Sequence, residues 1–180
     1  MENVEVEKNT NEIKKEILEE SINEDIKQNI TIARANAMDI VQFAYILVPE
    51  FNKEFSNDID DVYKYNSEDF HISMLEGILH SGYVVLIAKI DKMVVGGIAF
   101  QLMRHPFNKS LIYASELFWY VKKEFRKLQV GTKLLKEAEL IAKSLQVNYF
   151  HMAYMPKGNL KEFYESQGYK SLDSFMYKKL

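Results

Sequence analysis

The sequence predicts a mixed α/β (α+β) domain in which a central, mostly antiparallel sheet of about six to seven strands is flanked by helices. Two observations carry this prediction. Three consecutive apolar runs, over 83–90, 93–102 and 111–121, are separated by short connections and are typical of an antiparallel meander. A long amphipathic helix then begins near Val130 and is followed by a further strand, so it crosses between strands.

The composition narrows the class of protein. A chain of 180 residues suits one folded domain, and its hydrophobic content of 47 % is too high for a disordered protein. No apolar stretch approaches the roughly 20 residues of a membrane span. The absence of cysteine excludes disulfides and thiolate metal sites, and the N-terminus lacks the features of a signal peptide. We therefore expect a cytoplasmic protein with no membrane partner.

Charge divides the chain into two parts. Residues 1–28 contain nine acids and four bases, a net charge of −5, so the remainder carries +2 of the total of −3. Apolar residues at helical spacing over 11–27 indicate either a solvated appendage or a helix that binds a partner, including a second copy in a homodimer. Residues 29–180 form the expected domain, whose small positive excess suits a polyphosphate ligand but not nucleic acid.

Local signals place the elements of the N-terminal half. They predict a strand over 29–34, a helix capped by Asn36 that ends near Phe51, a surface loop over 52–66, and a helix capped by Ser67 that ends near His80 with Gly82 beyond it.

The C-terminal half is placed in the same way. Gly96 and Gly97 in mid-strand predict a bulge or a close backbone approach. The later elements are a connection over 103–110, the helix from Val130 to Leu145, a strand over 147–155, a helix over 160–167 ended by Gly168, and a last strand or hairpin over 169–180.

The junction before the long helix is the candidate site. An amphipathic face fixes the helix in place, so the free N–H groups of its first turn point into the turn over 126–131. A helix N-terminus stabilises an anion by roughly 0.3–1 kcal/mol, and Arg126 and Lys127 add full charges. Gly131 leaves room for a ligand near the backbone, although a glycine here is also typical of an ordinary turn.

Two segments resemble the GNAT (Gcn5-related N-acetyltransferase) superfamily. The run VKKEFRKLQVGTKLL from Val121 is similar to its acetyl-CoA-binding motif, Val-x-x-x-x-Arg/Gln-x-x-Gly-x-Gly/Ala followed by a helix with paired leucines. FYESQGY from Phe163 is similar to its Phe-Tyr-x-x-x-Gly-Phe/Tyr segment, and the order of elements matches from Ile30 onwards. Gln129 replaces the first glycine of the motif. If that position needs positive φ, Gln129 is strained there. If only the backbone amide is used, Gln129 can still donate it.

The resemblance implies a GNAT-like acyl-CoA acyltransferase fold that transfers an acetyl group from acetyl-CoA, as co-substrate, to a primary amine by direct attack in a ternary complex. The acceptor, a small molecule or a protein, is unidentified. The backbone of Val121 would bind the pantetheine arm and the thioester carbonyl, and Asn159 would contact the same arm. The amides expected to hold the diphosphate are those of Arg126, Lys127, Leu128, Gln129, Val130, Gly131 and Thr132.

Tyr164 and Glu116 are the candidate catalytic residues. Tyr164 matches the family tyrosine that protonates the departing thiolate, although it also suits a packing role in the core. Glu116 is the single carboxylate on its strand, and burial would raise its pKa towards that of a general base. The family often carries this glutamate at the position of Leu117, so strand parity could turn Glu116 away. His151 is a weaker candidate for a proton relay.

Several alternatives remain. Histidines 71, 80 and 105 have no ligand spacing, so no metal is expected. The turn lacks the signatures of other nucleotide-binding loops. The substitution at Gln129 and the acidic N-terminal segment leave open a catalytically inactive GNAT-fold module for binding or structure. The helix from Ser67 and the segments over 52–66 and 103–110 are expected to line the acceptor side.

Overall fold

The fold is the predicted mixed α/β class, as shown by a computed structural model that describes residues 29–55, 64–80, 82–154, 159–172 and 178. The predicted N-terminal helix lies outside the described residues, as does most of the predicted last strand. Residues 169–172 have no regular secondary structure.

The described residues form one five-stranded sheet, compared with the six to seven strands expected. Its strands lie in chain order: β1 (Ile30–Arg34), β2 (Tyr83–Ile90), β3 (Met93–His105), β4 (Asn108–Val121) and β5 (Tyr149–His151). Strands β1 to β4 are antiparallel, which confirms the meander, and β5 pairs parallel to β4.

Helices cover both faces of this sheet. They are α1 (Ala37–Gln42), a π-helical turn (Phe43–Leu47), α2 (Val48–Phe55), α3 (Ser67–Leu79), a 3₁₀ helix (Lys123–Leu128), α4 (Val130–Ser144) and α5 (Leu160–Ser166). Helix α4 packs on one face with Tyr164 of α5, and the helices from α1 to α3 pack on the other. The core therefore has two layers.

Capping chemistry explains where the first helices begin. The Asn36 side chain accepts from the Asp39 amide while the Asp39 carboxylate accepts from the Asn36 amide, which confirms the predicted cap. The prediction for α3 was off by one residue, because Asn66 is the cap and its Oδ1 accepts from the amides of Glu68 and Asp69 at 2.8 and 3.0 Å. Residues 52–55, expected in a loop, continue α2.

The hairpin between β3 and β4 extends beyond the predicted strand ends. The predicted connection over 103–110 is wrong, since β3 continues to His105 and β4 begins at Asn108. Most residues at this end of the hairpin are exposed or half-buried. Because they are polar, the sequence there lacks the alternation of apolar residues that marks a strand. The strand predicted over 147–155 is reduced to the three residues of β5.

Gly96 and Gly97 produce both features that were expected of them. Val95 is the extra residue between the pairs Ala88–Gly96 and Lys89–Val94, so a bulge adjoins the glycines. A Cβ on Gly97 would lie 2.8 Å from the Phe43 ring, which only glycine allows. The π-helical turn therefore packs directly against the backbone of the sheet.

Ion pairs connect α2 to the end of β4. Arg126 donates to both carboxylate oxygens of Glu54 at 2.6 Å, and the Tyr120 hydroxyl donates to the same carboxylate at 3.0 Å. One turn earlier on α2, Glu50 pairs with Lys122 at 2.9 Å. These contacts hold the segment after β4 against a helix from the opposite face of the sheet.

Among the helices in the described part of the chain, none is long and apolar enough to cross a membrane.

We predict that Glu54→Gln lowers the free energy of unfolding by about 1 kcal/mol at pH 7, between the values for an exposed pair and a charge-assisted bidentate one. The Arg126 guanidinium holds the pKa of Glu54 below its ordinary value of 4.5. The stabilisation is therefore present above that value and is lost as the pH falls through the lowered pKa. Urea unfolding of both proteins from pH 7 down to about pH 3 measures the difference.

Glu76→Gln is the matched control, because Glu76 is an exposed residue in the middle of α3. If both variants lose the same stability, or if the effect of Glu54→Gln does not depend on pH, the ion pair does not stabilise the fold.

Candidate active site

The site begins where β4 and β5 separate. The two strands pair only through Tyr113–Tyr149, Ala114–Phe150 and Ser115–His151. Beyond Ser115 the chains diverge, and β4 continues to Val121 while paired with β3. The described residues thus leave a V-shaped opening between the second half of β4 and residues 152–154.

A β-bulge in β4 decides which side chains face this opening. Ala99 pairs with Phe118 and Phe100 with Glu116, so Leu117 is an extra residue in β4. Phe118 and Leu117 lie with the core that contacts α1 to α3. Ala114, Trp119 and Val121 lie with the core under α4 and α5. Strand parity places Glu116 on this second face with Ala114.

The backbone of Val121 points into the opening. The Lys122 amide donates to the Val95 carbonyl across the pair Gly96–Val121, so that pair is a non-hydrogen-bonded one. In an antiparallel ladder, the amide and carbonyl of such a residue point away from the partner strand. The Val121 carbonyl accepts from Arg126 Nε at 2.9 Å, and its amide faces the side where β5 has left the sheet.

The turn that follows requires the conformation normally taken by glycine. Gln129 has φ 59° and ψ 22°, which confirms that the position needs positive φ. Its side chain makes no capping hydrogen bond to α4. Since α4 runs for 15 residues, the amides of its first turn combine with a helix dipole. A group of donors without a side-chain cap is suited to an anion.

Arg126, unlike Lys127, does not add a free charge to the turn as expected. Arg126 is engaged by Glu54 and lies over the Tyr120 ring at 5.3 Å, and its pKa is raised chiefly by the hydrogen bonds to Glu54. Leu128 is buried in the core, whereas Lys127 is exposed. The donors that this turn leaves free therefore belong to its backbone more than to Arg126.

Trp119 occupies the space beside Gly131. A Cβ on Gly131 would lie 3.1 Å from Cζ2 of Trp119, so the indole, and not open solvent, meets the helix at this glycine. The ring also packs on Phe163 and Tyr164 of α5, with centroids 5.9 and 5.8 Å away. Among the described residues, Trp119 Nε1 is buried without a hydrogen-bond partner, an arrangement that costs about 1–3 kcal/mol.

Glu116 and Tyr164 meet at a single backbone unit. The Ala153 amide donates to Glu116 Oε2 at 3.0 Å, and the Tyr164 hydroxyl donates to the Ala153 carbonyl at 3.3 Å. The bulge therefore keeps the Glu116 side chain at the opening. The alternation of side chains along a regular strand had left it possible that Glu116 points away from the site. Both side chains lie where β5 has separated from β4.

Burial sets the protonation of this pair. It raises the pKa of Glu116 to about 7, against the opposing effect of the Ala153 N–H, so the carboxyl exchanges a proton near neutral pH. Burial, and then the charges of Glu116 and Tyr169, raise the pKa of Tyr164, so its hydroxyl keeps its proton. One group can accept a proton while the other donates one.

The remaining predicted residues have simpler surroundings. Asn159 precedes α5, is exposed, and makes no side-chain cap. His151 is exposed and stacks on Tyr113, with centroids 4.9 Å apart. In the part of the chain that the structure describes, no three His, Asp or Glu side chains are grouped so that they could hold a metal ion.

A cavity of about 280 Å³ adjoins the bulge on the opposite face of the sheet. Leu117, Phe70 and Met74 form apolar parts of its wall. Asp69 and Lys64 are its charged residues. Part of this wall is the beginning of α3, which was expected on the acceptor side.

Sequence reasoning missed Glu54, Trp119 and the Leu117 bulge. Glu54 fell in a predicted loop, and only its spacing of four residues from Glu50 hinted at a helix face. Trp119 is the single tryptophan of the chain and lies two residues before the motif valine, which was a usable signal. No local signal marks the bulge.

Solved structures share this fold at low identity. A predicted acetyltransferase from Clostridium acetobutylicum, solved with acetyl-CoA, is 15% identical with a TM-score of 0.67, over 83% of this chain and 96% of that one. An aminoglycoside acetyltransferase from an uncultured soil metagenomic sample is 16% identical with a TM-score of 0.66, over 86% and 99%. A ribosomal-protein-alanine N-acetyltransferase from Brucella melitensis biovar Abortus 2308 is 14% identical with a TM-score of 0.60, over 84% and 98%.

No curated protein matches the chain. The family model of the acetyltransferase (GNAT) domain matches residues 81–171, which include the bulged strand, the turn, α4 and α5. The match covers more than half of the chain and includes both motif segments. The chain belongs to the GNAT acetyltransferase family.

Proposed function

We propose that this protein transfers an acetyl group from acetyl-CoA to the nitrogen of a primary amine. One observation supports the proposal most strongly. The Val121 amide faces the opening, and a few residues later the first turn of α4 has no side-chain cap on its amides. Together they offer a line of backbone donors suited to an extended ligand that ends in a diphosphate. A structural neighbour solved with acetyl-CoA supports this choice of co-substrate.

The residues of the turn fit such a ligand. The amides of Val130, Gly131 and Thr132 belong to the first turn of α4, where orphan donors are found. Gln129 adopts the left-handed conformation without glycine, so the turn retains the shape that the motif glycine would give it. Acetyl-CoA would supply an activated thioester, and Val121 would donate to it at the end of the strand.

Two proton transfers complete the reaction. Glu116 would accept the proton that the amine loses as its nitrogen bonds to the carbonyl carbon. Tyr164 would give its proton to the sulfur as the carbon–sulfur bond breaks. The pKa of Glu116, raised to about 7, suits a base near neutral pH, and the raised pKa of Tyr164 keeps its hydroxyl protonated until a thiolate is there to accept the proton.

The acceptor amine would have to reach Glu116 at the opening, which lies on the other face of the sheet from the cavity beside Leu117. The wall of that cavity combines apolar side chains with both Asp69 and Lys64, so it does not by itself select the charge of an acceptor. Two structural neighbours act on an aminoglycoside and on a ribosomal protein's alanine, so both acceptor types belong in a first panel.

We predict that acetyl-CoA raises the melting temperature of the protein and that Thr132→Glu weakens its binding at least about ten-fold. A carboxylate in the first turn of α4 repels a diphosphate by one to a few kcal/mol. The same charge interacts favourably with the helix dipole, so the free variant should be as stable as the wild type or slightly more stable. Calorimetry and thermal unfolding measure the two effects.

Lys143→Gln is the matched control, because it makes the same one-unit change in charge at the exposed far end of α4. Equal losses of affinity in both variants would show that net charge, and not the first turn of α4, governs binding. Failure of the wild type to bind millimolar acetyl-CoA would contradict the proposal.

For catalysis, we expect kcat/KM to rise with pH through about 7 in the wild type, as Glu116 loses its proton. Glu116→Gln should remove this rise and lower the rate about 10²-fold or more, while Gln can still accept from the Ala153 amide. Tyr164→Phe should lower kcat by a similar factor but keep the pH dependence. Release of free CoA thiol across the amine panel measures both.

Tyr149→Phe and Glu162→Gln serve as controls, since both residues are exposed and lie outside the opening. Binding of acetyl-CoA without release of thiol from any amine would instead support the alternative of a catalytically inactive binding module.

A further inference from the structure

The inference concerns Tyr169, the second tyrosine of the family segment that begins at Phe163. Its hydroxyl donates to Glu139 Oε1 on α4 at 2.8 Å. Its ring lies against the ring of Tyr164, with centroids 5.6 Å apart. Tyr169 therefore links the proposed proton donor to the long helix.

The turn after α5 brings Tyr169 back against Tyr164. Gly168 has φ 89°, the left-handed conformation with which many helices end. The Tyr169 amide donates to the Tyr164 carbonyl at 3.0 Å, and the Gly168 amide donates to the Glu165 carbonyl at 3.0 Å. The backbone therefore sets where the Tyr169 side chain begins, and Glu139 sets where its hydroxyl lies.

Helix α4 gives this contact a rigid support. Its apolar face, which includes Leu134, Leu135 and Ala138, is buried in the core. A hydrogen bond to a carboxylate such as that of Glu139 is stronger than one between neutral groups. Burial, and then the hydrogen bond to Glu139, raise the pKa of Tyr169, so its hydroxyl keeps its proton and remains a donor.

The other contacts of Tyr164 constrain its hydroxyl less. Trp119 and Phe163 each pack on the ring with centroids 5.8 Å away, but such contacts do not anchor a polar atom. The hydrogen bond from the Tyr164 hydroxyl to the Ala153 carbonyl is 3.3 Å long, beyond the roughly 2.5–3.0 Å that is usual for an O–H donor. The contact with Tyr169 is the one that a short hydrogen bond ties to a packed helix.

We propose that Tyr169 and Glu139 are positioning residues. Their hydrogen bond holds the Tyr169 ring against Tyr164, and this keeps the Tyr164 hydroxyl at the opening between β4 and β5. The inference rests on the proposed proton transfer from Tyr164 to the thiolate. Tyr169 itself would transfer no proton, because its hydroxyl is engaged by Glu139.

Solution NMR of protein with ¹³C-labelled tyrosine rings tests the contact without any activity. Tyr169→Phe keeps the ring and removes only the hydroxyl. We expect it to shift and broaden the ring signals of Tyr164, which Tyr164→Phe assigns. Glu139→Ala should have the same effect, whereas Glu139→Gln, whose amide oxygen can still accept, should give signals close to those of the wild type. Tyr164 signals that stay unchanged in both Tyr169→Phe and Glu139→Ala would overturn the inference.

Steady-state kinetics test the consequence for the reaction. Because a small displacement of a reacting group lowers a rate steeply, kcat should fall about 10-fold in Tyr169→Phe and in Glu139→Ala. KM for acetyl-CoA and for the amine should stay within about two-fold, since neither residue would contact a substrate. Glu139→Gln should keep most of the activity. A purely structural role would lower the melting temperature and leave kcat unchanged, and that result would overturn the inference.

Glu137→Ala and Tyr149→Phe are the matched controls. Glu137 lies two residues earlier on α4 and therefore on a different face, and Tyr149 is an exposed tyrosine of β5. Both variants should keep the kcat and the Tyr164 signals of the wild type. A loss in Glu137→Ala equal to that in Glu139→Ala would overturn the inference. Failure of the wild type to release CoA thiol from any amine would instead overturn the proposed function, and the NMR comparison would then decide whether Tyr169 holds the ring.

Discussion

The separation of β4 from β5 is the constraint on which the rest of the site depends. Three residue pairs hold these strands together, and beyond them β4 remains fixed to β3 alone. The extra residue Leu117 then shifts the faces of the strand, so that Glu116 lies at the opening while Phe118 returns to the opposite core. A regular strand paired along its whole length would engage the Val121 amide in the sheet and would leave no room for a ligand.

The electrostatics of the site come mainly from oriented backbone. Arg126 is held by the Glu54 carboxylate, lies over the Tyr120 ring, and thereby ties α2 to the end of β4. The donors that this turn leaves free are the uncapped amides at the N-terminus of α4. Such groups are already oriented before a ligand arrives, so binding requires little reorganisation. The two groups proposed for proton transfer, Glu116 and Tyr164, lie elsewhere and share Ala153 as their hydrogen-bond partner.

Much of this fold could be predicted from the sequence, because many of its features are set by residues that are close together in the chain. The cap at Asn36, the apolar face of α4 and the three strands of the meander depend on neighbouring residues, and all three were found. The bulge at Leu117 depends on how β4 pairs with β3, and the partner of Glu54 lies 72 residues away. Neither relation leaves a periodic signal. The sequence shows that Gln129 stands where the motif has glycine, but it does not give the φ angle of that residue. The strain could therefore be predicted only for the case that the position needs positive φ.

The most direct measurement is the set of backbone amide chemical shifts of ¹⁵N-labelled protein on addition of CoA. If the splayed strand and the first turn of α4 form the co-substrate site, the largest changes fall on the amides of Val121, Val130, Gly131 and Thr132, and the amides of β1 stay where they are. Saturable binding that leaves these four amides unmoved would contradict the central claim that the backbone at this junction holds the ligand.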